Sequence, residues 1–213
     1  EISWTGRVLQ KMILKNLKRF KYIACISEAT KKDVFRLTGK DNKKIVRKIL
    51  YGLNYPFSPM KNEEAFKVLG CWREYLQKPF FLHLGDNKWY KNRTGVLDIY
   101  REFLKNNPES ENILLIAGKP WSDELRKRVS DLGLTDRVFE ITPIQGEKLR
   151  AIYSCAEAFI FPSFYEGFGW PIVEAQACGC PVFTTNIEPM TEAGGNAAVY
   201  FDPDNIQEAA STI

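Results

Sequence analysis

Short apolar runs alternate with amphipathic stretches along most of this chain. Runs that end at glycine, proline or a polar turn residue are typical of buried strands, and apolar residues three and four positions apart are typical of helices. Strands are predicted over 21–26, 45–50, 80–84, 112–117, 137–141 and 197–201, with a further apolar run at 159–161. Helices are predicted over 4–20, 28–38, 63–77 and 122–132. Three more are predicted: one that ends near residue 106, one around Ile152 and one that begins at Pro171. This alternation predicts an α/β fold with a parallel sheet, right-handed crossovers and helices on both faces.

The first predicted helix, over 4–20, has an apolar stripe beside a cationic face. The stripe contains Val8, Leu9, Met12, Ile13, Leu17 and Phe20. The cations are Lys11, Lys15, Lys18 and Arg19. Such a helix can lie against acidic lipid headgroups, so peripheral membrane contact is one interpretation. The other is a domain helix whose basic face is solvated, and we favour this second interpretation because charge runs usually face water.

A domain boundary is predicted near Pro56–Pro59, where two prolines precede a charged stretch at 61–64. We therefore divide the chain into residues 1–58, with the linker, and residues 59–213. The chain opens with Glu1 inside a predicted helix and stops at Ile213 inside another. We expect it to be part of a longer protein that extends beyond both ends.

Composition adds little that is specific to function. The net charge of +4 and the 45% hydrophobic content describe an ordinary globular protein, and the mild positive charge suits an anionic ligand or an anionic membrane surface. We expect no nucleic-acid partner. Five cysteines without zinc-type spacing favour reduced, buried thiols and a cytoplasmic location. The sequence has no apolar run of 18 residues and no visible signal peptide.

The strongest chemical signal lies between the apolar run at 159–161 and the helix after Pro171. A strand, a glycine-containing loop and a helix N-terminus form the arrangement that binds anions, because backbone N–H groups and the helix dipole converge there. Glu166 and Glu174 flank this point. Phosphate repels a carboxylate, whereas sugar hydroxyls donate to one, so the pattern favours a ligand that has both. A sugar nucleotide is such a ligand.

Other candidate residues follow the remaining strands, at the edge where parallel α/β sheets bind ligands. Gly85 precedes a loop with three cations, Lys88, Lys91 and Arg93. Gly118 and Thr142 end the next two strands. The lone histidine, His83, lies inside an apolar strand, and we interpret it as a hydrogen-bonded core or sheet-edge residue because it has no evident base partner.

The stretch Ser163-Phe-Tyr-Glu-Gly-Phe-Gly-Trp-Pro-Ile-Val-Glu-Ala175 resembles the signature of retaining glycosyltransferases of family 4. Residues 26–59 resemble the end of that family's N-terminal domain and its crossover. The resemblance implies a GT-B fold, in which the chain holds the tail of the N-terminal domain and a Rossmann-like C-terminal donor-binding domain. It also implies transfer of a mannose- or glucose-type hexose from a GDP- or UDP-sugar to a glycan or lipid-linked acceptor, in polysaccharide biosynthesis. The implied location is cytoplasmic, at the inner face of a membrane where the acceptor is lipid-linked.

The same resemblance implies roles for individual residues. Glu174 would bind the ribose hydroxyls and Glu166 the hydroxyls of the transferred sugar. Lys91 would bind the phosphates and stabilise the leaving group, so that no metal or cofactor is expected. Asp86 stands where the family commonly has an arginine, and Lys88 or Arg93 is expected to replace that charge. The remaining expected donor contacts are Gly85, Gly118, Ile141, Thr142, Gly167, Phe168, Gly169 and Trp170.

Three alternatives stay open. The chain could be a non-catalytic nucleotide-sugar-binding module or an inactive fragment, because the acceptor side is largely absent. A glycoside hydrolase also uses paired carboxylates, although the phosphate-binding features have no purpose there. A dinucleotide-dependent dehydrogenase is disfavoured because Gly167-Phe-Gly169 lacks the third glycine of the dinucleotide motif.

Overall fold

A computed structural model describes residues 4–39, 45–72 and 74–213, without the Cys71 side chain, and divides the chain into two compact units at 1–52 and 53–213. The first unit holds α1 (Trp4–Leu17), β1 (Tyr22–Cys25), α2 (Glu28–Thr38) and β2 (Ile45–Lys48). Its strands pair in parallel, and the hydroxyl of Ser27 caps α2 by accepting from the Thr30 N–H at 3.0 Å. The predicted helix over 4–20 is confirmed but ends at Leu17, and none of its residues is buried.

The second unit contains a six-stranded sheet. Its strands are β3 (Phe80–Gly85), β4 (Ile113–Gly118), β5 (Val138–Ile141), β6 (Ala158–Phe161), β7 (Val182–Thr185) and β8 (Ala198–Phe201). Its helices are α3 (Asn62–Val68), α4 (Arg93–Asn106), α5 (Asp123–Asp131), α6 (Glu147–Cys155), α7 (Trp170–Ala177), α8 (Met190–Gly194) and α9 (Ile206–Thr212). The strand order is β5-β4-β3-β6-β7-β8 and every pair is parallel. The predicted parallel α/β fold is confirmed.

The strand order reverses between β3 and β6. From β3 the chain adds strands on one side as far as β5, and from β6 it adds them on the other side as far as β8. The crossover helices leave a crevice beyond the carboxyl ends of β3 and β6, which is where open α/β sheets bind ligands. The loops that follow these two strands therefore hold the first candidates for a functional site.

Alternating side chains of each strand fill two separate cores. On β3, Phe80 and Leu82 pack into one core while Phe81 packs into the other. Helices α3, α6, α7 and α8 cover the first face, and α4, α5 and α9 cover the second. Because both faces are covered, the strands read as continuous apolar runs. The four described cysteine side chains are free thiols, and three of them are buried.

Two predictions about elements are corrected. The helix expected over 63–77 ends at Val68, and 3₁₀ turns follow at Gly70–Trp72 and Tyr75–Gln77. Gly70 explains the break, because glycine disfavours the helix interior by about 1 kcal/mol relative to alanine. The stretch 187–195, expected as a loop, contains the short helix α8.

Candidate functional site

A cleft of about 450 Å³ opens beyond the carboxyl ends of the strands in the second unit. The loops after β3, β4 and β5 and the first turn of α7 contribute to its wall. It is lined by Leu84, Gly85, Asp86, Lys91, Gly118, Lys119, Pro143, Ile144, Gln145 and Pro171. Three of the predicted site residues, Gly85, Lys91 and Gly118, thus line one space, as expected from the order of strands and loops.

The cleft floor is main chain because two glycines face each other there. Gly85 and Gly118 are register partners on β3 and β4, and a Cβ on Gly118 would overlap the carbonyl oxygen of Gly85. Gly118 also has a φ of 112°, which favours glycine. The N–H of Lys119 donates to Gly85 O at 3.2 Å, and the hydroxyl of Thr142 donates to Gly118 O at 3.0 Å. No side chain covers the floor at these two glycines, so a ligand can approach the backbone closely.

Lys91 and Glu166 form an ion pair at the edge of the cleft. The Nζ of Lys91 donates to Oε1 of Glu166 at 2.7 Å, and the two side chains are only 16% and 11% exposed. Lys91 ends the 3₁₀ turn Trp89–Lys91, and Glu166 lies in the loop after β6. The structure thus brings together the two residues predicted to be catalytic, which are 75 positions apart.

Asn92 connects the loops that carry this ion pair. It adopts the left-handed conformation with a φ of 52°, and its Oδ1 accepts from the N–H of Gly95 at 3.1 Å, which caps α4. Its Nδ2 donates across the crevice to Pro162 O at 3.1 Å. Because one buried side chain bonds to both segments, the separation between the loops after β3 and β6 is fixed.

Glu174 lies one turn into α7, and its carboxylate accepts from the hydroxyl of Tyr153 at 3.3 Å. Burial raises the pKa of the Glu174 carboxyl, and the hydrogen bond from Tyr153 opposes this shift only in part. Tyr153 is fully buried, so burial and the nearby Glu174 charge raise its pKa well above the ordinary value. Tyr153 therefore stays a hydrogen-bond donor and orients the carboxylate of Glu174.

The N-terminus of α7 follows Gly169, which has a φ of 103°. Phe168 and Gly169 are buried, Gly167 is exposed, and the Trp170 ring lies 5.0 Å from the Phe168 ring. Pro171 occupies the first turn and lines the cleft, as expected from its suitability there. The helix therefore directs its N-terminal end towards the same space as Lys91.

Arg93 has partners that its sequence position did not indicate. Its guanidinium is buried and donates to Gly85 O at 2.9 Å, Ala117 O at 3.0 Å and Lys119 O at 2.9 Å. It also donates to Asn87 Oδ1 at 2.6 Å. Burial lowers the pKa of Arg93, and nearby carboxylates oppose this, but a guanidinium remains charged. Arg93 thus holds the loops after β3 and β4, and its expected phosphate contact stays a prediction.

The other cations of these loops differ in position. Lys88 is exposed, with its Nζ 3.5 Å from Oδ2 of Asp86, and it lines a neighbouring pocket rather than the cleft. Lys119 lines the cleft and was not among the predicted site residues. The available signal was its position directly after a glycine at a strand end, the same signal that identified the loop after Gly85.

His83 is buried in the central strand β3, so its core position is confirmed, but only one of its two ring nitrogens is hydrogen-bonded to the residues described. Its Nδ1 donates to Ile160 O at 3.0 Å, while its Nε2 has no hydrogen-bond partner in the part of the chain that the structure describes. Burial lowers the pKa of His83 to about 3; the bond to Ile160 opposes this, and the charges of Arg93 and Lys91 reinforce it. The imidazole is therefore neutral at physiological pH.

Ile141 is buried at the end of β5. Thr142 follows it, and the peptide bond between Thr142 and Pro143 is cis.

Within residues 4–39, 45–72 and 74–213, no three His, Cys, Asp or Glu side chains are grouped to hold a metal ion. None of the helices described is both long and apolar enough to cross a membrane.

Comparison with known proteins gives three consistent results. The sequence profile of the family described as "Glycosyl transferases group 1" matches residues 71–213. O-antigen chain mannosyltransferase B of Escherichia coli is 26% identical over 212 residues, which cover 97% of this chain and 54% of that protein. O-antigen chain mannosyltransferase RfbU of Salmonella typhimurium is 27% identical over 216 residues, covering 99% and 55%.

Among solved structures, Alr3699/HepE of Anabaena, in complex with UDP and glucose, has a TM-score of 0.80 at 18% identity. The match covers 94% of this chain and 55% of that one. At this identity the likeness concerns the fold. The chain spans about half the length of these three proteins.

Proposed function

Because the chain belongs to the glycosyl transferases group 1 family, we propose that it supplies the donor site of a retaining glycosyltransferase. The reaction moves a mannose- or glucose-type hexose from a GDP- or UDP-sugar to a glycan or lipid-linked acceptor. The sheet has the architecture of a GT-B C-terminal domain, in agreement with the likeness to solved structures. The observation that carries the proposal is the ion pair of Lys91 and Glu166 beside a cleft at the switch point of the sheet.

The ion pair brings a cation and a carboxylate to one edge of the cleft, and a nucleotide sugar needs both. Its diphosphate requires positive charge, and its hexose hydroxyls require acceptors. Lys91 would hold the diphosphate, and Glu166 would accept from hydroxyls of the transferred hexose. Because the side chains are mostly buried, their electrostatic effect on a bound ligand is stronger than it would be in water.

Glu174 would accept hydrogen bonds from the ribose hydroxyls. Its second partner, Tyr153, is already in place, so the carboxylate is oriented before the ligand arrives. The loop around Ile141 and Thr142 would meet the base, partly through backbone groups. Its neighbours Pro143 and Ile144 line the cleft, which supports this assignment.

The leaving diphosphate gains negative charge as the glycosidic bond breaks. Lys91 and the N–H groups of Phe168 to Trp170, at the start of α7, would stabilise that charge. This electrostatic role would replace a divalent metal, so transfer should persist in the presence of a chelator. Retention would follow if the acceptor attacks the face that the diphosphate leaves, with a phosphate oxygen taking the acceptor's proton.

The relatives leave both donor types open. Two of them are named as mannosyltransferases, which supports mannose, and the solved structure was obtained with UDP and glucose. We propose a cytoplasmic location. If the acceptor is lipid-linked, α1 would make the peripheral membrane contact. Its exposed side chains include apolar and cationic ones, as such contact requires, and Trp4, Leu9 and Met12 are among the apolar ones.

Calorimetry on the full-length protein tests the donor site. Wild type should bind GDP-mannose or UDP-glucose. Glu174→Ala should lower that affinity by at least about tenfold, because the hydrogen bonds from the ribose hydroxyls to the carboxylate are lost. Glu208→Ala, an exposed carboxylate on α9, is the matched control and should bind normally. Unchanged affinity in Glu174→Ala would contradict its role. Binding of the nucleotide sugar without transfer to any acceptor would identify a non-catalytic module.

A further inference from the structure

The loops after β3 and β6 place four aromatic side chains beside the cleft, and we call this group the aromatic rim. It consists of Trp89, Tyr90, Phe164 and Tyr165. The rings of Trp89 and Phe164 are stacked at 6.3 Å with an interplanar angle of 26°. Tyr90 contacts Trp89 edge-to-face at 6.0 Å and Tyr165 at 6.4 Å. The N–H of Phe164 donates to Tyr90 O at 2.8 Å, so the backbone fixes the two halves of the rim to each other.

Two of the four rim residues are exposed although a backbone hydrogen bond joins the two loops. The Trp89 side chain is 77% exposed and Tyr165 is 54% exposed. Single exposed apolar residues are common, but aromatic rings that are held in a cluster offer a preformed, rigid contact surface. Such a surface costs little conformational entropy when a ligand binds to it.

A pocket of about 280 Å³ adjoins the rim. Trp89 and Phe164 contribute its aromatic wall, and Thr94, Ser122 and Glu124 contribute hydroxyl and carboxylate groups. The volume is just below the range of roughly 300–1,000 Å³ found for sites of drug-sized ligands, so one ring rather than a whole nucleotide is the suitable occupant. An aromatic wall beside hydroxyl and carboxylate groups matches a sugar, which has an apolar C–H face and hydroxyls at its edge.

The charges of this pocket disfavour a phosphate. Its two cations are already engaged: Lys88 pairs with Asp86 at 3.5 Å, and Arg93 donates to main-chain oxygens. Glu124 is exposed and has no ion-pair partner within the residues described by the structure. The carboxylate would repel a phosphate but would accept hydrogen bonds from a neutral ligand's hydroxyls. An uncharged sugar ring therefore suits this pocket better than a phosphate does.

The aromatic rim borders the residues assigned to the reaction. Trp89 lies two positions before Lys91, and Tyr165 directly precedes Glu166. We propose that the rim and its pocket bind a hexose ring of the acceptor glycan, so that the C-terminal unit contributes to the acceptor site as well as the donor site. This inference rests on the proposed function, because the donor is assigned to the cleft lined by Lys91. A second, uncharged sugar beside Glu166 is then the acceptor.

Saturation-transfer NMR on the full-length protein tests the site with methyl α-mannopyranoside and methyl α-glucopyranoside as probes. Each titration is repeated with saturating GDP-mannose or UDP-glucose, and the methoxy resonance distinguishes the probe from the donor. We expect at least one probe to bind wild type and to stay bound when the donor is present. Trp89→Ala should weaken that binding by about tenfold, whereas Trp89→Phe, which keeps an aromatic face, should weaken it by less than about threefold.

Three further variants separate recognition from general effects. Glu124→Gln should weaken probe binding a few-fold by replacing a charged acceptor, and Glu109→Gln, an exposed carboxylate outside the pocket, should not. Trp4→Ala removes an equally exposed tryptophan, at 75%, and should leave probe binding unchanged. Donor affinity by calorimetry should stay within about twofold of wild type in all these variants.

Several results would overturn the proposal. They are no probe binding by wild type, binding insensitive to Trp89→Ala, or displacement of the probe by the nucleotide sugar, which would assign it to the donor cleft. Acrylamide quenching gives an independent readout: if Trp89 fluorescence, obtained as the difference from Trp89→Phe, is shielded in the full-length protein, another segment occupies the rim. If nucleotide sugars fail to bind while the probe still requires Trp89, the proposed function fails and the rim remains a sugar site without an acceptor role.

Discussion

The loop after β3 and the loop after β6 border the same cleft but are held in different ways. The first, residues 86–92, is held largely by side chains within or next to it, such as the Asn87 amide on Pro120 O at 2.8 Å and the guanidinium of Arg93. The second, residues 162–169, is held by groups from elsewhere, including Asn92 on Pro162 O and the Thr185 hydroxyl on Ser163 O at 2.9 Å. The second loop thus makes these scaffold hydrogen bonds through its main chain, whereas the polar side chains of the first loop are divided between scaffold and site.

Lys91 and Arg93 illustrate this division most clearly. They are two positions apart and have the same charge, yet Lys91 faces Glu166 at the cleft while Arg93 is buried under main-chain oxygens. The sequence pattern alone does not separate them, because both follow a strand and precede a helix. Substitutions that remove one of these two charges at a time can separate their roles.

The largest effect is expected for Lys91→Met in the full-length enzyme. Loss of a preorganised cation beside a developing negative charge should lower kcat by about 10²- to 10³-fold, or roughly 3–4 kcal/mol. Initial transfer rates at saturating donor measure this. Lys88→Met is the matched control from the same loop. Because Lys88 lines the neighbouring pocket and not the cleft, this variant should change kcat at saturating acceptor by less than about threefold. Equal losses in both variants would mean that the loop acts through its overall charge.

Arg93→Met should act on stability instead. It removes charge-assisted hydrogen bonds from three buried or half-buried carbonyl groups and from Asn87, so we expect a loss of about 3 kcal/mol in the free energy of unfolding. Urea denaturation followed by circular dichroism measures it, with Arg101→Met on the exposed face of α4 as control. Normal stability together with lost donor affinity would instead support the expectation from the sequence that Arg93 binds phosphate.

The sequence predicted most of the fold, because the period of the apolar residues identifies strands and helices, and the order of elements determines the parallel sheet. It also predicted that Lys91 and Glu166 would be near each other, since both follow strands and parallel strands end at one edge. It could not predict the role of Arg93 or the membership of Lys119 in the cleft. Those depend on which carbonyl groups the β3–β4 hydrogen bonding leaves free, and that is a tertiary property.

The close approach of Gly118 to the carbonyl oxygen of Gly85 can be tested by adding a Cβ at Gly118. A Cβ there would overlap Gly85 O, whereas a Cβ on Gly133, which has a φ of 67°, would meet no atom within 4 Å. Both positions have a positive φ, but 112° at Gly118 lies outside the left-handed region and 67° at Gly133 lies within it, so the difference combines this backbone strain with the overlap. Gly118→Ala should be less stable than Gly133→Ala by about 1–3 kcal/mol in chemical denaturation, the usual cost of overpacking. Equal stabilities would show that the β3–β4 ends are free to separate.

The smallest effect concerns pH, and it compares His83 on the β3 side with Glu174 on the β6 side. Burial lowers the pKa of His83 to about 3, so this residue should not titrate between pH 5 and 8. Burial raises the pKa of Glu174, and the ionised carboxylate is a stronger acceptor of hydroxyl hydrogen bonds than the protonated carboxyl group. Donor affinity should therefore be complete above the raised pKa and fall as the pH decreases through it, by at most tenfold per pH unit below that value.

Calorimetry across this pH range, on wild type, Glu174→Gln and His83→Leu, decides between the two groups. The Gln variant should bind more weakly than wild type at neutral pH and should lose the pH dependence, because it cannot ionise. The Leu variant should keep the wild-type profile. If removal of His83 abolishes the pH dependence while Glu174→Gln retains it, the titrating group lies on the β3 side, and the assignment of the ribose contact to Glu174 loses its electrostatic support.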